Sequence, residues 1–133
     1  MRAGAILQVR MGSTRLPGKA LRELAGRPVL HHVVERLSRA RTLDAVIVAT
    51  STAPGDDVIE ESLAGAFPDV PCFRGDEDDV LDRFHRAAEA HGLDVIARIT
   101  ADCPLIDPAV TDRVVGALLA APERYDFAAN TMV

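Results

Sequence analysis

The chain has 133 residues, of which 48% are hydrophobic and 26% charged; this is the composition of one ordinary globular domain and excludes a disordered or fibrous chain. No apolar run approaches the roughly 18 residues of a membrane span, and the first nine residues hold too short a run for a signal peptide, so a cytoplasmic protein with no membrane partner is expected. A net charge of −5 with 4% aromatic residues argues against a nucleic-acid partner.

Residues 4–9 read as a short buried strand. A ten-residue loop follows, Arg10 to Lys19, with three cations (Arg10, Arg15, Lys19) and no acid. Gly12 and Gly18 let its backbone turn and approach a ligand, and Pro17 stiffens its exit. Leu21 to Gly26 reads as a connection, and Pro28 as the first residue of a helix whose apolar face is Leu30, Val33, Val34 and Leu37. Ala45 to Thr50 is an almost wholly apolar, β-branched run, as a strand covered on both faces requires. A second helix is expected over residues 56–66 with Val58, Ile59 and Leu63 inward. A third strand is expected over Val70 to Phe73, and a third helix from about Asp78 with Val80, Leu81, Phe84, Ala87 and Ala88 inward. Asp94 to Ile99 reads as the fourth strand. Asp107-Pro108 reads as an N-cap and first helical residue, opening a helix lined by Val110, Val114, Val115, Leu118 and Leu119. Tyr125 to Ala128 is expected to begin another strand. Cys72 and Cys103 read as reduced structural thiols.

Strand–helix alternation of this kind predicts a three-layer α/β fold on a mainly parallel, Rossmann-like sheet. In such sheets ligands sit beyond the carboxyl ends of the strands, which gathers the loops 10–19, 50–55, 74–79 and 100–107. The charge distribution agrees. Residues 1–41 carry nine Arg or Lys against two Glu, a balance of +7, whereas the remaining 92 residues sum to −12. A basic first third facing an acidic remainder suits an anionic ligand bridged by a divalent cation; two solvated surfaces of opposite sign are the alternative.

The first loop is neither a Walker A motif, because Ala20 follows Lys19 and five residues separate its glycines, nor a Gly-x-Gly-x-x-Gly turn. Arg10, Arg15 and Lys19 can still neutralise a polyphosphate, with Ser13, Thr14 and loop N–H groups as neutral donors; a basic surface loop is the bland alternative. Asp102, just past the fourth strand, fits Mg²⁺, which takes one or two protein carboxylates and fills its shell with water and phosphate. Its alternative role is to cap a turn ahead of Pro104. Arg98 needs a partner on an otherwise apolar strand, either Asp102 or a substrate. The acids Asp76 to Asp79 compensate a helix dipole, with Asp79 the one placed for a substrate role. His31 and Glu35 share a helix face without a third ligand and read as packing or surface residues.

Three segments, Gln8-Val-Arg-Met-Gly-Ser-Thr-Arg-Leu-Pro-Gly-Lys19, Phe73-Arg-Gly-Asp-Glu-Asp-Asp-Val-Leu-Asp-Arg83 and Arg98-Ile-Thr-Ala-Asp-Cys-Pro-Leu-Ile-Asp107, resemble the spore-coat polysaccharide cytidylyltransferase-like family, relatives of the CMP-Kdo and CMP-sialic acid synthetases. The resemblance implies the nucleotide-diphospho-sugar transferase fold and a cytidylyltransferase that activates a sugar or sugar acid with CTP, releases pyrophosphate and serves cell-surface polysaccharide synthesis. By motif position it assigns nucleotide binding to Gln8, Arg10, Gly12, Ser13, Arg15, Lys19, Arg74 and Asp79, catalytic charge neutralisation to Arg10 and Lys19, and Mg²⁺ to Asp102. Asp76 departs from the family's usual Ser and adds a negative charge near the expected cleft. Relatives are commonly much longer, so residues 1–133 are expected to form the nucleotidyltransferase domain without the part that carries a second metal carboxylate, acceptor contacts and a dimerisation arm. Three readings stay open: an active cytidylyltransferase, a nucleotide-binding module without turnover, and an enzyme for another nucleoside triphosphate.

Overall fold

The computed structural model describes residues 1–12 and 16–131. Strand β1 (Ala3–Gln8) leads through the first loop to a small antiparallel hairpin, β2 (Glu23–Leu24) and β3 (Arg27–Pro28), and on to α1 (Val29–Leu37). Then come β4 (Ala45–Ser51), α2 (Asp57–Ala66), β5 (Cys72–Gly75), α3 (Val80–Ala90), β6 (Val95–Thr100) and α4 (Pro108–Ala120). The four long strands form one parallel sheet in the order β5-β4-β1-β6. The chain moves outward from β1 to β4 and β5, then returns to place β6 on the far side of β1, so strand order reverses beside β1. Register puts Gln8 between Ala49 and Thr100, and Ile6 between Ile47 and Arg98.

Alternation along β1 builds the layers. Ala5, Leu7 and Val9 pack with Val48 against Leu30, Val33, Val34 and Leu37 of α1 and Ile59 and Leu63 of α2. Residues of opposite parity, Ile6 and Ala49, meet Phe84, Ala87 and Ala88 of α3 on the other face. Val115 of α4 closes over Ala3 and Val95 at the amino end of the strands. The three-layer parallel α/β fold is therefore present, with no helix among the described residues long and apolar enough to cross a membrane.

Several elements differ from expectation for identifiable reasons. The connection 21–26 contains half of the hairpin, which turns at Ala25 (φ 51°) and Gly26 (φ 83°). Pro28 ends β3 with an extended ψ of 143°, so helix α1 starts one residue later. Strand β5 starts at Cys72 rather than Val70: Pro71 can accept, and does, from Val48 N–H, but has no N–H to give. Helix α3 starts at Val80, because Asp76 Oδ1 accepts the N–H groups of Asp78 and Asp79 in a turn of its own. Leu81 is 81% exposed, since its place in the buried arc of α3 is taken by Arg83. Val58 is exposed, and among the inward positions expected on α4 only Val115 is buried. Residues 125–128 form no strand; Tyr125 N–H closes a turn on Ala121. Cys72 is half-buried, its thiol pushed up to about 11 by desolvation, but Cys103 is exposed rather than structural.

Candidate active site

At the reversal of strand order, the carboxyl ends of β1 and β6 frame an open cleft of about 270 Å³. Its walls are Gln8, Val9 and Arg10 from β1 and its exit, Arg98, Thr100, Ala101 and Asp102 from β6, and Lys19 with Ala20 from the far end of the first loop. The return of that loop is set by Gly18, whose left-handed φ of 71° turns the chain while its N–H donates to the Met11 carbonyl at 3.0 Å. A 3-10 turn, Lys19–Leu21, then buries Ala20 as an anchor and leaves the Lys19 ammonium on the surface.

Lys19 Nζ lies 3.3 Å from Asp102 Oδ2 across the cleft. The two side chains are 40% and 48% exposed, so the pair is solvated and can open for a ligand at small cost. The Thr100 hydroxyl, helped by Lys19, holds the Asp102 carboxyl below the usual carboxylate range against the opposing effect of desolvation. Asp102 is thus an ionised, accessible oxygen donor. Among the described residues no three His, Cys, Asp or Glu side chains converge as a metal cage. A single ionised carboxylate beside a cationic loop fits Mg²⁺ held jointly with a polyphosphate, and would not fit a metal bound wholly by protein.

The cleft brings together Gln8, Arg10, Lys19 and Asp102 of the expected residues. Ser13 and Arg15 lie outside the described residues. Gly12 is exposed, and a Cβ there would meet open space, so its local backbone does not demand glycine. Arg74 does not line the cleft. Its guanidinium donates to the Ser51 and Ala53 carbonyls and pairs with Asp57 at 2.8 Å, tying β5 to the turn after β4. Asp79 also lies off the lining and caps α3, accepting Asp82 N–H at 2.9 Å. The extra charge of Asp76 is absorbed by the two N–H groups it accepts, which hold its carboxyl below the usual range. His31 bonds Ser62 and packs edge-on to Phe67, a packing role.

Thr100 was not singled out for the site, and Arg98 was expected only to pair with Asp102 or a substrate. Thr100 tunes Asp102, and Arg98 lines the cleft with its guanidinium 5.6 Å above the Phe84 ring and 3.4 Å from Gln8 Oε1. The signal for Arg98 was there, a charge on an apolar strand, but its partners come from β1 and α3.

A family model described as "Cytidylyltransferase" matches residues 4–133. The chain belongs to the cytidylyltransferase family. It is 38% identical over 122 residues to the 3-deoxy-manno-octulosonate cytidylyltransferase of Geobacter sulfurreducens, covering 92% of this chain and 47% of that protein. It is likewise 38% identical over 129 residues to the spore coat polysaccharide biosynthesis protein SpsF of Bacillus subtilis, with 94% and 53% covered. Its fold matches a CMP:2-keto-3-deoxy-manno-octonic acid synthetase complexed with CTP, at TM-score 0.81 and 25% identity, covering 92% of this chain and 49% of that one. The family resemblance read from the three segments is thereby established. This cytidylyltransferase-family chain spans about half the length of the curated relatives it matches.

Proposed function

We propose that this chain binds CTP with Mg²⁺ in the β1–β6 cleft and transfers its cytidylyl group to a sugar or sugar acid for cell-surface polysaccharide synthesis. The cytoplasm, where CTP is made, is the expected place. The observation that carries the reading is the Lys19–Asp102 pair facing Arg10 at the switch point of a cytidylyltransferase-family sheet. It supplies cations for a triphosphate and one ionised carboxylate for a divalent ion in the same cleft.

In the proposed reaction an acceptor oxygen attacks the α-phosphorus as the bond to the bridging oxygen of pyrophosphate breaks. The proton of an attacking hydroxyl passes to solvent. Arg10 and Lys19 neutralise the charge that grows on the leaving pyrophosphate, and no side chain need form a covalent bond. Lys19 leaves Asp102 for phosphate oxygen, freeing the carboxylate to hold the metal. Bound there, Mg²⁺ would add Lewis-acid charge neutralisation on the phosphates. Arg15 and Ser13 are proposed to complete the triphosphate seat by motif position, and Arg74 and Asp79 to shape its neighbouring wall.

A second reading is CTP binding without turnover: the roles proposed for the cleft residues all face nucleotide and metal, and none faces an acceptor. One experiment separates the two: a thermal-shift panel of four nucleoside triphosphates with and without Mg²⁺, followed by pyrophosphate release with sugar-acid and sugar-phosphate acceptors. At a ligand concentration one hundred times Kd, binding adds about 2.7 kcal/mol of stability, enough to rank the bases. The proposal expects CTP to lead, Mg²⁺ to be required, and Lys19→Ala or Asp102→Asn to lower turnover roughly a hundredfold, about 2.7 kcal/mol of barrier, with stability nearly unchanged. Mg²⁺-dependent binding with no pyrophosphate selects the second reading. No shift with any nucleotide defeats both.

A further inference from the structure

Two charged side chains lie buried beneath the loops at the carboxyl ends of the strands without lining the cleft. Asp56 is 4% exposed and Arg83 is fully buried. Asp56 occupies the N-cap position of α2, yet its carboxylate makes no bond to that helix. One oxygen accepts the Met11 N–H at 2.7 Å, and the other accepts the Ser51 hydroxyl. Ser51 Oγ in turn accepts Ala53 N–H, so a single carboxylate joins the start of the first loop to the end of β4.

Arg83 does the same for the loop before α3. Its Nε donates to the Asp76 carbonyl and one terminal nitrogen to the Glu77 carbonyl, each at 3.0 Å. The other terminal nitrogen is buried with no hydrogen-bond partner among the described residues. The stem fills the space over β5: a Cβ at Gly75 would come within 2.8 Å of Arg83 Cγ and 3.1 Å of the Phe73 ring. A buried guanidinium with an unmet donor costs stability that an apolar side chain of similar volume would not. The bonds it does make all go to loop backbone. Burial disfavours the charge on Arg83 most; Asp56 acts on it as an opposing charge and Arg10 as a like one.

We propose that Asp56 and Arg83 are positioning residues of the nucleotide cleft, Asp56 fixing the first loop through Met11 N–H and Arg83 fixing the Asp76–Glu77 backbone. The proposal rests on reading the cleft as a CTP site. Neither residue touches the nucleotide. Their effect is to hold the backbone from which Arg10 and the neighbouring wall project. A triphosphate that neutralises Arg10 also relieves its repulsion of Arg83, so ligand and frame reinforce one another.

The test compares Asp56→Ala, Asp56→Asn, Arg83→Met and Gly75→Ala with Val115→Ala, a core truncation under α4 far from these loops. Two quantities are measured well below each unfolding temperature: Kd for CTP with Mg²⁺ by calorimetry, and amide hydrogen exchange without ligand at Met11, Asp78 and Asp79. Asp56→Ala should weaken CTP at least tenfold and speed exchange at Met11 at least tenfold. Asp56→Asn, which still offers an oxygen to that N–H, should stay within about threefold of the parent. Arg83→Met should weaken CTP at least tenfold and speed exchange at Asp78 and Asp79 at least tenfold. If it fails to fold, Gly75→Ala, which displaces the stem and keeps the charge, carries the same expectation. Val115→Ala should leave both readouts unchanged despite its lower melting temperature. Asp56→Ala and Arg83→Met behaving like Val115→Ala would overturn the proposal. If the parent chain binds no CTP, the proposed function falls, while the exchange measurements still decide whether the two residues frame the loops.

Discussion

At Asp112 one carboxylate stitches α4 to the loop that precedes β4. It accepts the N–H of Arg41 at 3.0 Å and, on its other oxygen, the N–H and hydroxyl of Thr42 at 2.8 and 2.6 Å. The Arg41 N–H first, then the Thr42 hydroxyl, hold its carboxyl below its ordinary 3.8. A depressed folded-state value means stability that is present above about pH 4 and is lost as pH falls through the folded value. Asp112→Ala should cost roughly 1–2 kcal/mol near pH 7 through the lost bonds. Urea unfolding between about pH 6 and pH 3 should show a shallower acid loss for Asp112→Asn than for the parent; parallel curves would show that this carboxylate does not drive it. Residue-scale legibility follows the same line. Asp107 was readable as an N-cap because its partner, Ala109 N–H, is two residues away. Lys19 and Asp102 were readable by type and by position after strands. Asp112, Asp56 and Arg83 were not, because their roles depend on contacts that only the folded chain creates or on a burial that residue type argues against.

The hairpin β2–β3 shows the same limit one scale up. Its turn has two consecutive left-handed residues, Ala25 and Gly26, the pattern of a type I′ connection. The segment up to Gly26 read only as a connection, and Ala25 concealed the turn, since a Cβ in that conformation costs about 1–2 kcal/mol. Ala25→Gly removes that strain and adds about 0.4–1 kcal/mol of unfolded-state entropy. The variant should therefore be more stable by about 0.5–1 kcal/mol. Chemical denaturation of the two proteins checks it, and a loss of stability would mean that the hairpin does not hold Ala25 at positive φ in solution. Longer elements were legible wherever period and burial agreed: β1, β4, α1 and the core of α3 were each expected. The exceptions came from chemistry rather than pattern, as where Pro71 withholds an N–H from β5 or where Asp76 builds a turn that delays α3.

Across the whole molecule, the strand order β5-β4-β1-β6 explains why residues from both ends of the sequence share one cleft. Parallel alternation predicted the class of fold and the end of the sheet that matters; it could not say that β6 returns beside β1. That return sets Asp102 opposite Lys19, 83 residues away, in a cleft that also gathers Arg10 and Arg98. The charge separation then makes a prediction for the molecule as a whole. Its net charge is −5, so a triphosphate is repelled by the average surface and attracted where Arg10, Lys19 and Arg98 gather. The cleft is open and Lys19 is 40% exposed, so its attraction for an anion is screened by salt. Raising ionic strength from about 0.05 to 0.5 M shortens the screening length from roughly 14 to 4 Å, and should weaken CTP binding about tenfold. Removing Lys19 should flatten that slope, because part of the salt-sensitive attraction leaves with it. Calorimetry at four salt concentrations on the parent and Lys19→Ala measures both slopes. Equal slopes would place the salt-sensitive contacts elsewhere on the surface, and with them the seat of the triphosphate.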